Sequence, residues 1–144
     1  MRLLAILTAA LLTACESAPA PQRDAAKEAW YSETVQQLAR MNREAESFFE
    51  SGKPDQAAAR IEAGQPLMSR LLSVPRPTLE ATEAASDLDD LYGRMLLANR
   101  HYGWARLLFQ KNLARWRRPQ TPEAARRLRQ AESAIAECDR HLVE

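Results

Sequence analysis

Histidine and cysteine are scarce in this chain, with two of each among 144 residues. That is sparse material for acid–base or nucleophilic catalysis, and no catalytic constellation emerges. The four glycines form no Gly-rich phosphate loop, and neither a His-Glu-x-x-His sequence nor a paired-cysteine metal pattern is present. Cys138 and His141 stand three apart on one helix face but lack two further ligands, and the only other histidine is His101. Asp87, Asp89 and Asp90 lack the turn glycine of a calcium loop and point to different faces of a helix, as solvated surface or as partners for basic side chains. These absences predict a protein that is not an enzyme and carries no cofactor or metal. Long apolar runs are missing too. Leu3 to Leu12 is ten residues, against about 20 for a membrane span. The formal net charge is only +1, which argues against a general polyanion binder and against nucleic acid.

What is present begins at the N-terminus. Arg2 supplies a short positive region, the uncharged run Leu3 to Leu12 follows, and Leu12-Thr13-Ala14-Cys15 closes it. A short apolar run ending in small residues is the pattern of a processed signal rather than a span, and Glu16 follows the cysteine at once. An ordinary secretory signal cut among Ser17-Ala18-Pro19-Ala20 is the other possibility, but Cys15 falls where the hydrophobic run ends. The segment resembles the lipobox of bacterial lipoproteins. That resemblance implies removal of residues 1–14 and acylation of Cys15 with a diacylglycerol and often a third, amide-linked chain. Two or more chains anchor stably where one binds only marginally. It also implies a periplasm-facing protein. Glu16 is not the strong inner-membrane retention residue, so the outer membrane is the expected destination. From Cys15 to about Ala26, Pro19, Pro21 and small residues form a tether too poor in apolar surface to fold. Residues 27–144 then suit one domain.

Charge along the mature chain is asymmetric. Glu16 to Gly93 carries 8 basic and 14 acidic residues, whereas Arg94 to Arg129 carries 10 basic residues and the single acid Glu123. With Cys15 acylated, Cys138 has no partner in the chain. It is either a reactive thiol or a small buried hydrophobe, and burial is the expectation.

The domain reads as all-α. It is rich in Ala, Leu, Arg, Glu and Gln, and no run alternates with the period of a strand. The first helix is expected from about Ala26 to Ser51 on the stripe Trp30, Val35, Leu38, Met41, Ala45, Phe48 and Phe49. Gly52 suits a position just past its end, and Pro54 suits the first turn of the next helix. That second helix runs to about Leu72, with a kink or break expected at Gly64 and Pro66. Thr78 is a plausible N-cap for a third helix, Leu79 to Asn99. A fourth spans about Tyr102 to Trp116 on Trp104, Leu107, Leu108, Leu113 and Trp116. Thr121-Pro122-Glu123 opens a fifth, with Leu128, Ala131, Ile135, Cys138 and Leu142 as its stripe.

Two windows match. Ala45, Phe48, Gly52, Ala57 and Ile61 lie at the same offsets as Gly93, Leu96, Arg100, Ala105 and Phe109, 48 residues on. Helices approach closely where small residues meet, and large ones fill the adjacent gaps. The pattern resembles the tetratricopeptide repeat over about Arg40 to Arg118. It departs from that family in period, which is about 34 residues there, in Met41 or Asp89 standing where the motif has Trp, and in having two copies. The resemblance implies two antiparallel hairpins with the fifth helix as a cap. A generic helix bundle is the alternative.

The basic segment interleaves arginines with Tyr102, Trp104 and Trp116, a mixture found at protein-binding hot spots. Arg100, Tyr102, Trp104, Arg115, Arg118, Arg126 and Arg129 are the candidate partner-contacting residues, with Arg115, Arg118, Arg126 and Arg129 expected on one face. The same arginines could instead pair with the acidic first half. The sequence therefore points to a membrane-anchored, non-enzymatic scaffold that docks a protein or peptide, or an accessory of an envelope or secretion assembly. The rival is a structural envelope protein touching anionic lipid, lipopolysaccharide or cell-wall polymer.

Overall fold

The computed structural model of the chain describes residues 24–118 and 121–143. The signal segment, Cys15, the tether as far as Arg23 and the Pro119-Gln120 turn lie outside the described residues. Within them the chain is all-helical: α1 (Ala29–Glu50), α2 (Pro54–Leu72), α3 (Leu79–Ala98), α4 (Tyr102–Trp116) and α5 (Pro122–Leu142), preceded by a 3-10 turn, Ala25–Lys27. Ala26 packs against the core, so the folded domain begins slightly inside the expected tether. None of the helices among the described residues is long and apolar enough to cross a membrane.

Helices α1 with α2 and α3 with α4 form antiparallel hairpins, α1 and α2 both pack on α3, and α5 closes the far side of α4. The two hairpin turns are alike bond for bond. In the first, the Lys53 amide donates to Phe48 O at 2.9 Å and the Gly52 amide to Phe49 O at 3.1 Å; in the second, His101 donates to Leu96 O at 2.8 Å and Arg100 to Leu97 O at 3.0 Å. This is a Schellman ending, in which the residue after the cap is left-handed. Gly52 has φ 69° and Arg100 φ 61°. The packing follows the same register. Ala45 and Gly93, Ala57 and Ala105, Ile61 and Phe109, and Met68 and Trp116 are buried pairwise. Gly93 has no room for a side chain, because a Cβ there would sit 2.7 Å from the Phe109 ring.

Helix α5 echoes the start of α3. Thr78 Oγ1 accepts from the Ala81 amide at 3.2 Å, and Thr121 Oγ1 accepts from Ala124 at 3.0 Å. Each cap satisfies one of the free amides of a helix start. Ala81, Leu88 and Met95 of α3 are buried, as are Ala124, Ala131 and Cys138 of α5. Tyr31 fastens the first hairpin to the second. Its hydroxyl donates to Leu71 O at 3.3 Å and accepts from the Thr78 amide at 3.1 Å.

Two expectations are corrected. Helix α2 is continuous through Pro66. Proline frees the carbonyl of Glu62, but both residues are on the exposed side, where water reaches that oxygen. The opposite side is held by Ile61, Met68 and Leu71, and by Gly64 against Leu38 and Leu88. In α4 the buried face is Ala105, Phe109, Asn112 and Trp116. Trp104 is 69% exposed and Leu107 50%. Seating the Phe109 ring on Gly93 sets the rotation of α4 and turns those two outward.

Candidate docking groove

The basic segment is largely engaged by acids. Asp89 is fully buried, and Arg115 Nη1 reaches its Oδ2 at 2.7 Å while Lys111 Nζ lies 3.1 Å away. Arg115 also donates to Asn112 Oδ1 at 2.7 Å. Arg94 forks onto Glu46 at 2.9 and 2.6 Å, and its Nε donates to Asp90 at 3.0 Å. Arg127 links α5 to α3, meeting Asp87 at 2.6 Å and Glu123 at 2.7 Å. Arg106 holds Asp139 at 2.6 Å.

Of the four arginines expected on one face, two are engaged by acids. Arg115 is drawn inward by Asp89, and Arg126 is forked onto Glu123 at 3.0 and 2.6 Å. Arg118 and Arg129 are exposed and, with Arg100 and Arg117, form no ion pair among the described residues. Tyr102 is half-buried and stacks on His141 with ring centres 4.3 Å apart. Trp104 stands in solvent.

The residues that come together lie elsewhere. A hollow of about 190 Å³ between α1 and α3 is lined by Asn42, Arg43, Glu46, Asp87, Asp90 and Arg94. A second, of about 220 Å³ between α3 and α5, shares Asp87 and Asp90 and adds Arg126, Arg127 and Gln130. The two meet along α3 as one polar groove crossing α1, α3 and α5. A third hollow, about 380 Å³, lies between α2 and α4 over Ile61, Tyr92 and Leu108.

Asn42 Nδ2 donates to Ala84 O at 2.7 Å, which fixes the amide orientation, and Asn112 Nδ2 likewise donates to Ser86 O at 3.0 Å. Asn42 is 7% exposed, and its Oδ1 has no partner among the described residues. Sequence reading passed over Asn42. Its signal was a polar residue in the helical stripe between Leu38 and Ala45.

Burial pushes the Asp90 carboxyl up from its ordinary range, with nearby Asp87 and Glu46 adding to the rise and Arg94 opposing it. Hydrogen bonding to Glu46 raises Arg94 further. Glu123 is lowered to about 2, first by its hydrogen bonds from Arg126 and then by those from Arg127. Cys138 is buried, and burial raises its thiol. No group of three or more His, Cys, Asp or Glu side chains among the described residues is placed to hold a metal ion. Comparison with protein-family models, with curated proteins and with solved structures finds no match.

Proposed function

We propose that this chain is a lipid-anchored, periplasm-facing scaffold, tethered through Cys15, whose helical domain docks a protein partner without enzymatic chemistry. The observation that carries the reading is the continuous groove across α1, α3 and α5, held open by two hairpins with the same turn and the same close contacts. Repeated hairpins present extended surfaces suited to linear segments. The lipobox resemblance supports the anchor, and Glu16 at the second position supports an outer-membrane address.

Site-directed photocrosslinking in the native envelope tests it. A photoreactive residue at Gln130, in the groove, should give a discrete adduct that the same residue at exposed Ser69 on α2 does not. Identical products from both positions would remove the docking reading. A second reading, contact with an anionic envelope polymer, draws on exposed Arg100, Arg117, Arg118 and Arg129. It expects salt-sensitive sedimentation with anionic vesicles, lost when Arg118 and Arg129 are changed to Glu.

A further inference from the structure

Helix α4 differs from the other four in charge and in what it turns outward. It holds no aspartate or glutamate, whereas α1, α2, α3 and α5 expose Glu33, Asp55, Glu80 and Glu132 among others. With Ala105, Phe109, Asn112 and Trp116 turned inward, its outer face is Gly103, Trp104, Leu107, Lys111 and Ala114, all exposed. Trp104, at 69%, is the most exposed aromatic side chain among the described residues. Leu108 follows it by one turn and carries the apolar strip on to Tyr92, across the hollow that both line. Cations frame the strip. Arg100 precedes the helix and Arg117 and Arg118 follow it, all three exposed and without an ion pair among the described residues. Lys111 stands in the middle, half exposed, and shares Asp89 with the better-shielded Arg115. At one edge Arg106 takes up Asp139 of α5, and at the other Glu62 of α2 is the exposed acid on the rim of the hollow.

We propose that the outer face of α4 rests in the headgroup zone of the anionic phospholipid leaflet that holds the acyl chains of Cys15. Leucine and tryptophan flanked by lysine and arginine form the kind of surface that lies in a bilayer interface, where the amphipathic indole is favoured. Anionic headgroups draw in the one helix that carries no acids and are repelled less by it than by the other four. The tether limits the alternatives. Eight residues separate Cys15 from Asp24, and fully extended they span at most roughly 30 Å. Two layers of packed helices are about 20 Å thick, so an acylated Cys15 keeps the domain against the leaflet at high effective concentration. Tyr92 stands two residues past Asp90 on α3, about half a turn around. The α4 face and the polar groove therefore lie on opposite sides, and seating α4 on lipid leaves the groove open for a partner. This orientation rests on the anchored reading of Cys15.

Tryptophan quenching separates the two. The acylated full chain is reconstituted in vesicles of phosphatidylethanolamine and phosphatidylglycerol that carry a doxyl-labelled lipid, which quenches indole emission on contact. Flotation in high salt reports the anchor, and quenching reports the face. Because Trp30 and Trp116 also emit, Trp104→Phe supplies the background. Quenching of the parent should exceed that background by at least about threefold. Leu107→Glu, at an exposed position and checked for an unchanged melting midpoint, should float like the parent yet be quenched only to the background. In phosphatidylcholine vesicles the parent should be quenched at least about twofold less. Equal quenching of the parent and Trp104→Phe in floated vesicles would overturn the α4 contact and leave the anchor intact. Undiminished quenching in phosphatidylcholine would overturn the anionic leaflet as the occupant. A photoreactive residue at Leu107 that captures a protein in the native envelope, with no quenching in vesicles, would give the face to that protein instead. A chain that does not float removes the anchor; quenching on mixing it with the same vesicles would still uphold the α4 contact, and its absence would remove both.

Discussion

Gly93 and Gly103 have opposite prospects as alanines. A Cβ at Gly93 meets the buried Phe109 ring at 2.7 Å, whereas at Gly103 it meets nothing within 4 Å. Alanine outranks glycine in a helix by about 1 kcal/mol, and at Gly103 nothing opposes that gain. At Gly93 the overpacking term of about 1–3 kcal/mol outweighs it. Gly103→Ala should raise the denaturation midpoint and Gly93→Ala should lower it; a midpoint that rises in both would show the Phe109 ring to be free to move. Asp89 makes a sharper test. Its carboxylate is fully buried, and Arg115 is the better-shielded of its two cations. Arg115→Met should cost about 3 kcal/mol, because a buried charge loses its partner. Adding Asp89→Asn should recover much of that loss in urea melts. If the single variant melts like the parent, Lys111 alone suffices. At this scale the sequence marked Gly93 and Ala105 as small among large. It did not mark Asp89, because three nearby acids look alike until tertiary packing buries one of them.

The paired turns carry the next prediction. Both end a helix with a left-handed residue, but one is glycine and the other arginine. The left-handed conformation costs an L-residue about 1 kcal/mol that glycine avoids. Arg100→Gly should therefore stabilise by about 1 kcal/mol, and Gly52→Ala should destabilise by a similar amount, each moving Tm by a few degrees in calorimetry. Equal and negligible shifts would mean that the turns relax when substituted. Elements were the most legible level. Proline and glycine punctuation, the threonine caps and the apolar stripes placed all five helices within about three residues. The failures were of rotation and continuity. Trp104 and Leu107 fit a helical stripe as well as Ala105 and Phe109 do, and only the Gly93 contact decides between them. Pro66 reads as a breaker unless its exposed side is known. The groove was hidden for a related reason, since its lining comes from residues of four helices, α1, α3, α4 and α5, that are spread along the sequence.

Across the whole molecule, α5 is tied to its neighbours by charge as well as by packing. Ala124, Ala131 and Cys138 seat it, and Arg127 ties it to Asp87 of α3 while bracing Glu123 of its own first turn. The lowered Glu123 contributes stability that is present above its ordinary value of 4.5 and lost as pH falls through about 2. Asp90 acts in the opposite sense. Its raised carboxyl favours the folded state below its ordinary value of 3.8, and that contribution fades as pH rises through the raised one. Glu123→Gln should thus flatten the acid limb of the stability curve between about 4.5 and 2, and an unchanged limb would place the acid sensitivity elsewhere. At neutral pH, Cys138 reports the same docking. Its thiol is buried between α4 and α5 and its ionisation is suppressed by that burial, so a maleimide reaches it only when α5 opens. Native labelling should be at least about 100-fold slower than labelling in denaturant. Arg127→Met removes the tie to α3 but keeps an apolar stem over Trp116, whose ring lies 5.1 Å from the guanidinium. The labelling rate should then rise about fivefold, the equivalent of about 1 kcal/mol in the opening equilibrium, with far-UV circular dichroism unchanged. A rate that does not move would mean that apolar contacts and the Arg106–Asp139 pair suffice to hold α5 and that the Arg127 bridges serve the groove rather than the fold.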